Sequence, residues 1–262
     1  MRWNNRARPL GCLLAVFIPQ VFILPGFILM VCLRTRAAPQ ITTAPSPPAT
    51  TSGAPESQTT VPPPAAPTPV ILIDAAHGGT ESGAVLGPDN LEKDVTLAFA
   101  RRLRQDLISR GLQVRLLRDS DTLLSTDQRA VIANVSRPSL YLCIHATSQG
   151  SGVRIYAAML SDGSADRGPF VAWQTAQASS LSRSRSLQQQ LTAAIQKTRF
   201  PVRSLLAPLQ PLNNIIAPAI AIEIAPASGE VSQLAASDYQ QMVSAVLANA
   251  IGGIRSRLET GQ

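Results

Sequence analysis

The chain has 262 residues, 45% of them apolar and only 4% aromatic, and a formal charge of +7. That leaves room for one or two domains with a proper core, and the basic balance lacks the interleaved aromatics and motifs of a nucleic-acid binder, so no nucleic-acid partner is expected. Beyond residue 33 the only cysteine is Cys143, which excludes a disulfide framework for everything that follows.

Residues 9–33 carry no charge and lie between Arg2, Arg6 and Arg8 on one side and Arg34 and Arg36 on the other. About 20 apolar residues span a bilayer, whereas a cleaved signal peptide has an apolar stretch of roughly 7–15. Residues 1–36 therefore read as a membrane anchor, with cleavage near Ala37-Ala38 as the alternative. Residues 37–68, within "AAPQITTAPSPPATTSGAPESQTTVPPPAAPTP", are too rich in Pro, Thr, Ala and Ser to bury a core. They read as a disordered, semi-rigid linker, able to reach on the order of 100 Å at about 3.1 Å per residue. Residues 69–262 remain for a folded domain.

That domain opens with "PVILID", 69–74, an apolar, β-branched run of the kind that forms buried strands. A glycine-rich loop carrying His77 and Glu81 follows, then the turn "GPDN". Asn90 stands where an N-cap is needed for a helix starting near Leu91. Leu91, Val95, Phe99, Leu103 and Leu107 make a stripe with helical period, and Gly111 is the stop signal. "LQVRLLR", 112–118, reads as a strand, and Ser125 with Gln128 as a capping box ahead of a short helix, "RAVIAN". "SLYLCIH", 139–145, is an apolar strand ending in the second of the chain's two histidines, and "GVRIYAA", 152–158, reads as its neighbour. Residues 170–199 read as helical, with Leu187, Leu191 and Ile195 on one face. "PAIAIEI", 218–224, is a buried strand that contains Glu223. Ser237 and Gln240 repeat the capping-box pattern before a last helix lined by Met242, Val243, Val246, Leu247, Ala250, Ile251 and Ile254. Strands alternating with helices predict an α/β fold with one open, twisted, mainly parallel sheet flanked by helices.

In open α/β sheets, sites gather at the carboxyl ends of the strands. His77 follows the first strand, His145 ends a later one, and Glu92 in the first turn of its helix returns to the same edge if loop 75–91 folds over it. Two histidines and a carboxylate are a common ligand set for a catalytic zinc. Each residue also has a plainer reading: His77 as a surface-loop histidine, His145 as a satisfied core histidine, Glu92 as a carboxylate favoured by the helix dipole. Glu223 is the sharper signal, because a carboxylate inside "PAIAIEIA" is costly to bury unless paired or functional. A phosphate loop is excluded, since "HGGTESGA" lacks the Gly-Lys-Ser/Thr ending.

"IDAAHGGTESGA", "LEKDVTLA", "LLRDSD…DQRAVIAN", "LYLCIHA" and "PAIAIEIA" occur in that order over nearly all of 70–258. Together they resemble the successive motifs of the zinc-dependent N-acetylmuramoyl-L-alanine amidases of the type-3 amidase family. The resemblance implies a sheet of about six strands and one zinc per chain, held by His77, Glu92 and His145, with Glu223 as the catalytic carboxylate. It implies a peptidoglycan substrate, cut between N-acetylmuramic acid and L-alanine. It also implies a place on the periplasmic or cell-envelope side, tethered to the inner, cytoplasmic membrane by the N-terminal segment, or secreted if that segment is cleaved. A protein activator is left open by the sequence. Three departures touch the substrate groove: Asp74-Ala75-Ala76-His77 where the family commonly has Asp-Pro-Gly-His, "IAPASGE" after Glu223, and Ala146-Thr147 where Ala-Asn is usual. Arg118 and Arg129 match family arginines and suit ion pairing as well as substrate contact; Asp74 and Glu81 suit supporting hydrogen bonds. The rival readings are a non-catalytic peptidoglycan tether and a zinc peptidase acting within the stem peptide.

Overall fold

The computed structural model describes residues 69–160 and 172–259. Anchor segment 1–36 and all of linker 37–68 lie outside them, and among the described residues no helix is long and apolar enough to cross a membrane.

Six strands form one sheet: β1 (Val70–Ala75), β2 (Gln113–Leu116), β3 (Leu140–Ala146), β4 (Gly152–Ala158), β5 (Val202–Ala207) and β6 (Ala219–Ala225). Their order is β2-β1-β3-β6-β4-β5. Every pairing is parallel except β4 with β6. The expected α/β class and the six-stranded, mainly parallel sheet are thus found. The expected pairing of 152–158 beside 139–145 is not: β6 lies between them. With Ile220, Ile222 and Ile224 on one face and Ala219 and Ala221 on the other, all buried, β6 is apolar on both sides and takes the centre of the sheet.

One face of the sheet packs against α1 (Glu92–Ile108), α3 (Leu181–Gln196) and α4 (Ser237–Gly253). The predicted stripe Val95, Phe99, Leu103 and Leu107 is buried there, as are Leu187, Leu191 and Ile195. Burying a side chain such as Phe99 stabilises by about 1.5–3 kcal/mol. The other face packs against α2 (Thr126–Ser136) and short 3-10 turns, burying Leu72, Tyr141, Cys143 and Ala221. Cys143 is therefore a small core residue. A short α5 (Arg255–Glu259) closes the described chain.

Local signals held unevenly. Ser125 and Gln128 form the predicted reciprocal capping box. Asn90 does not cap α1; Leu91 occupies that position with no side-chain bond, while the Asn90 carbonyl accepts from Leu86. Glu92 and Asp94 in the first turn supply negative charge to that helix end instead. Ser237 and Gln240 make no capping box, because α4 already begins at Ser237 and the Gln240 amide is drawn inward to donate to the Leu234 carbonyl. Met242 sits off the buried stripe of α4 at 43% exposure. β5 was not foreseen: its interior residues are exposed, as suits an edge strand, so no apolar alternation marks it.

Candidate metal centre

β1 and β3 end at the same edge of the sheet, and the α1 N-terminus comes back to meet them. His77 leaves β1 at φ 62°, a left-handed conformation unusual for a side-chain-bearing residue. Two buried arginines hold the backbone there. Arg129 pairs with the Asp74 carboxylate and donates to the carbonyls of Ala75 at 3.0 Å and His77 at 2.7 Å. Arg118 donates to the carbonyls of Ala75, Ala76, Lys93 and Ser120 at 2.7–3.0 Å. Both arginines therefore hold the loop in place, and Asp74 is a fully buried ion-pair partner that also accepts from the Tyr141 hydroxyl.

The loop then folds over α1, as the sequence required if Glu92 was to join the histidines. Glu92 is buried and lies between both imidazoles: its Oε2 is 3.1 Å from His77 Nε2 and its Oε1 is 2.9 Å from His145 Nδ1. The backbone N–H of Ala84 donates to Oε2 and that of Ala146 to Oε1. One donor atom from each of His77, Glu92 and His145 can be chosen so that all lie within 4.8 Å of one another. The rings stand edge to face with centroids 5.3 Å apart. His77 Nδ1 faces Glu81 Oε1 at 3.1 Å, so the supporting role expected of Glu81 is met. That bond keeps a proton on Nδ1, so Nε2, which faces Glu92, is the nitrogen that a metal would take in place of its proton.

The electrostatics favour a negative Glu92 with positive charge beside it. Burial works against the Glu92 charge, but hydrogen bonds from His145, His77 and Ala84 overcome it and hold the carboxyl far below the usual range. His77 is raised chiefly by its bond to Glu92. Burial pulls His145 down, and the neighbouring Cys143 and Glu92 more than offset it, so its pKa is raised well above the ordinary value. Two nitrogens and a carboxylate oxygen around one point, in a set short of four ligands, match the donor chemistry of a catalytic zinc.

Gly83 explains the glycines of the loop. It has φ 68°, and a Cβ there would lie 2.6 Å from His77 Cδ2 and 2.8 Å from Glu92 Oε2. A Gly83→Ala variant is expected to keep its fold but lose about tenfold or more in divalent-metal affinity, as disturbed ligand support does. Titration calorimetry with Zn²⁺ checks this; unchanged affinity would show that the loop shifts without cost.

Glu223 sits beside His145 across the β3–β6 pairing. Its Oε2 accepts from Arg154 Nη1 at 2.6 Å and from the Tyr156 hydroxyl at 2.9 Å. Among the described residues its Oε1 accepts no hydrogen bond. Arg154 also donates to the Gln149 carbonyl. Sequence reasoning missed Arg154 and Tyr156. The available signal was their alternation in "GVRIYAA", which puts two polar side chains on one face of a strand.

Comparisons with known proteins give the family. The chain is 33% identical over 92 residues to the N-acetylmuramoyl-L-alanine amidase AmiA of Escherichia coli, covering 34% of this chain and 32% of that protein. It is 35% identical over 117 residues to AmiC, an amidase of the same type from an Escherichia coli strain, covering 43% of this chain and 28% of that protein. The chain thus spans about a third of the length of these curated relatives. Among solved structures, the catalytic domain of CwlV, an N-acetylmuramoyl-L-alanine amidase from Bacillus (Paenibacillus) polymyxa, shares the fold. It has a TM-score of 0.53 and 24% identity, over 70% of this chain and 96% of that one. The family model of the type-3 N-acetylmuramoyl-L-alanine amidases matches residues 71–252, from β1 to the last turn of α4, and the chain belongs to that family.

Proposed function

We propose that residues 69–262 form a zinc hydrolase that cuts the amide between N-acetylmuramic acid and the L-alanine of the peptidoglycan stem peptide. The observation that carries this reading is the convergence of His77, Glu92 and His145 within 4.8 Å, one cross-strand step from Glu223. His77, Glu92 and His145 would hold the ion, and a zinc there would supply Lewis acidity toward the carbonyl and acidify water. The remaining work belongs to the chain. Glu81 keeps the His77 proton on Nδ1. Arg154 and Tyr156 hold one oxygen of Glu223, so that the other is the one offered to substrate. Through that oxygen Glu223 accepts the proton of the attacking water and returns it to the departing amine of L-alanine. Residues 1–36 would anchor the domain at the cytoplasmic membrane on its periplasmic side, with 37–68 spanning the gap to the wall; the uncharged run 9–33 and the proline-rich composition support this.

The test is mass spectrometry of peptidoglycan digested by the purified protein with and without a chelator. Released intact stem peptide, abolished by chelation and restored by Zn²⁺, is the expected result. Shortened stem peptides would turn the reading toward a peptidase, and no products toward a tether.

Acid should release the metal. A ligand histidine must be neutral to bind, and the metal-free His77 and His145 both keep their protons to higher pH than an ordinary imidazole near 6.5. Apparent affinity is therefore full above the raised values and falls as pH drops through them, beginning above the ordinary histidine range. Zinc content after dialysis across about pH 5–9 checks the direction.

A further inference from the structure

Sheet register carries the candidate site sideways. On one face His145 on β3 stands beside Glu223 on β6, Glu223 beside Arg154 on β4, and Arg154 beside Arg203 on β5. Paired residues project from the same face, so these four side chains form one row across four strands. Neighbouring strands are about 4.8 Å apart, which puts Arg203 roughly 10 Å from Glu223 along the row. Tyr156 and Leu205 form the adjoining row on β4 and β5. Helix α3 covers the opposite face of this part of the sheet, where its Leu187, Leu191 and Ile195 join Val153 and Ile155.

Members of the row differ in what already holds them. Arg154 is engaged by Glu223 and Gln149. Arg203 is exposed, and among the described residues no hydrogen bond or ion pair engages its guanidinium. Leu205, two residues on and on the same face, is 39% exposed. Among the described residues, a partly exposed strip of sheet thus leads from Glu223 past a tyrosine and a leucine to an uncommitted guanidinium.

We propose that this face of β4 and β5 is the floor on which the peptide leaving group lies, and that Arg203 binds a free carboxylate of that peptide. The proposal rests on the amidase reading and names the substrate class more narrowly: an anionic stem peptide. An extended peptide advances about 3.4 Å per residue, so Arg203 reaches the second or third residue beyond the scissile bond. A guanidinium suits a carboxylate through a paired, charge-assisted contact.

The test uses the full chain and two muropeptides that differ only in carrying a free carboxylate or a carboxamide at those residues. Arg203→Gln is expected to raise KM for the carboxylate substrate about tenfold, the worth of one charge-assisted hydrogen bond, with kcat unchanged. Arg203→Glu should raise it further. Neither variant should alter KM for the carboxamide substrate. Arg115→Glu, the same charge change on exposed β2 at the far edge of the sheet, should alter neither. An unchanged KM in the Arg203 variants overturns the proposal, as does an equal rise for both substrates or an effect matched by Arg115→Glu. If the unaltered protein cleaves neither substrate, or Glu223→Gln stays fully active, the amidase reading fails and this inference falls with it. Arg203 variants without effect beside an inactive Glu223→Gln overturn the inference alone.

Discussion

Replacing Glu223 by Gln should lower turnover on the order of 10²–10⁴-fold while zinc content and fold are kept. Gln keeps the shape and can still accept from Arg154 and Tyr156, whose bonds both go to Oε2 in the native chain. It cannot accept the proton of the attacking water. His77, Glu92 and His145 are untouched, so the metal should stay. Metal analysis, circular dichroism and product mass spectrometry on one preparation separate the outcomes. Loss of zinc would make Glu223 a ligand, loss of fold would make it chiefly the partner of Arg154, and a fully active variant would remove it from the chemistry.

A second large effect should come from Arg129→Ala. Asp74 is fully buried, and Arg129 is its only cationic partner among the described residues. Breaking a buried pair by removing one side costs about 3–5 kcal/mol, because the other charge is left uncompensated. Against a typical domain stability of roughly 5–15 kcal/mol, that loss is severe. The His77 carbonyl also loses its arginine donor, and that of Ala75 keeps only Arg118, so metal affinity should fall as well. Urea denaturation reads the first effect and zinc titration the second. Adding Asp74→Asn to the same chain should recover part of the stability, since the stranded charge is gone, but not the metal affinity. Wild-type stability in the single variant would show that water or a shifted neighbour solvates Asp74.

Much of this was legible because buried strands and amphipathic helices write their burial into the local sequence. "VILID", "LYLCIH" and "AIAIEI" became β1, β3 and β6, and Val95, Phe99, Leu103 and Leu107 became the inner face of α1. The trio of His77, Glu92 and His145 was legible through motif order and strand ends; local spacing left it open. What stayed hidden depends on pairing between distant segments. Placing β6 between β3 and β4 decides that Arg154 meets Glu223, and nothing within "GVRIYAA" encodes that neighbour. β5 was hidden because an edge strand with exposed residues carries no apolar period. The role of Arg129 was hidden because its partners, Asp74 and the His77 carbonyl, lie 55 and 52 positions away.

The central position of β6 has a consequence for the order in which a growing chain becomes competent. β3 and β4 are made first, and until residue 219 emerges the edges they will share with β6 have no partner. The metal trio is complete by residue 145, yet the proposed proton acceptor arrives only with the strand that closes the sheet. A chain that ends before β6 lacks Glu223, and it carries two open strand edges that invite aggregation. On the proposed mechanism, closing the sheet and arming the site are one event, so the hydrolysis cannot precede the pairing of β6.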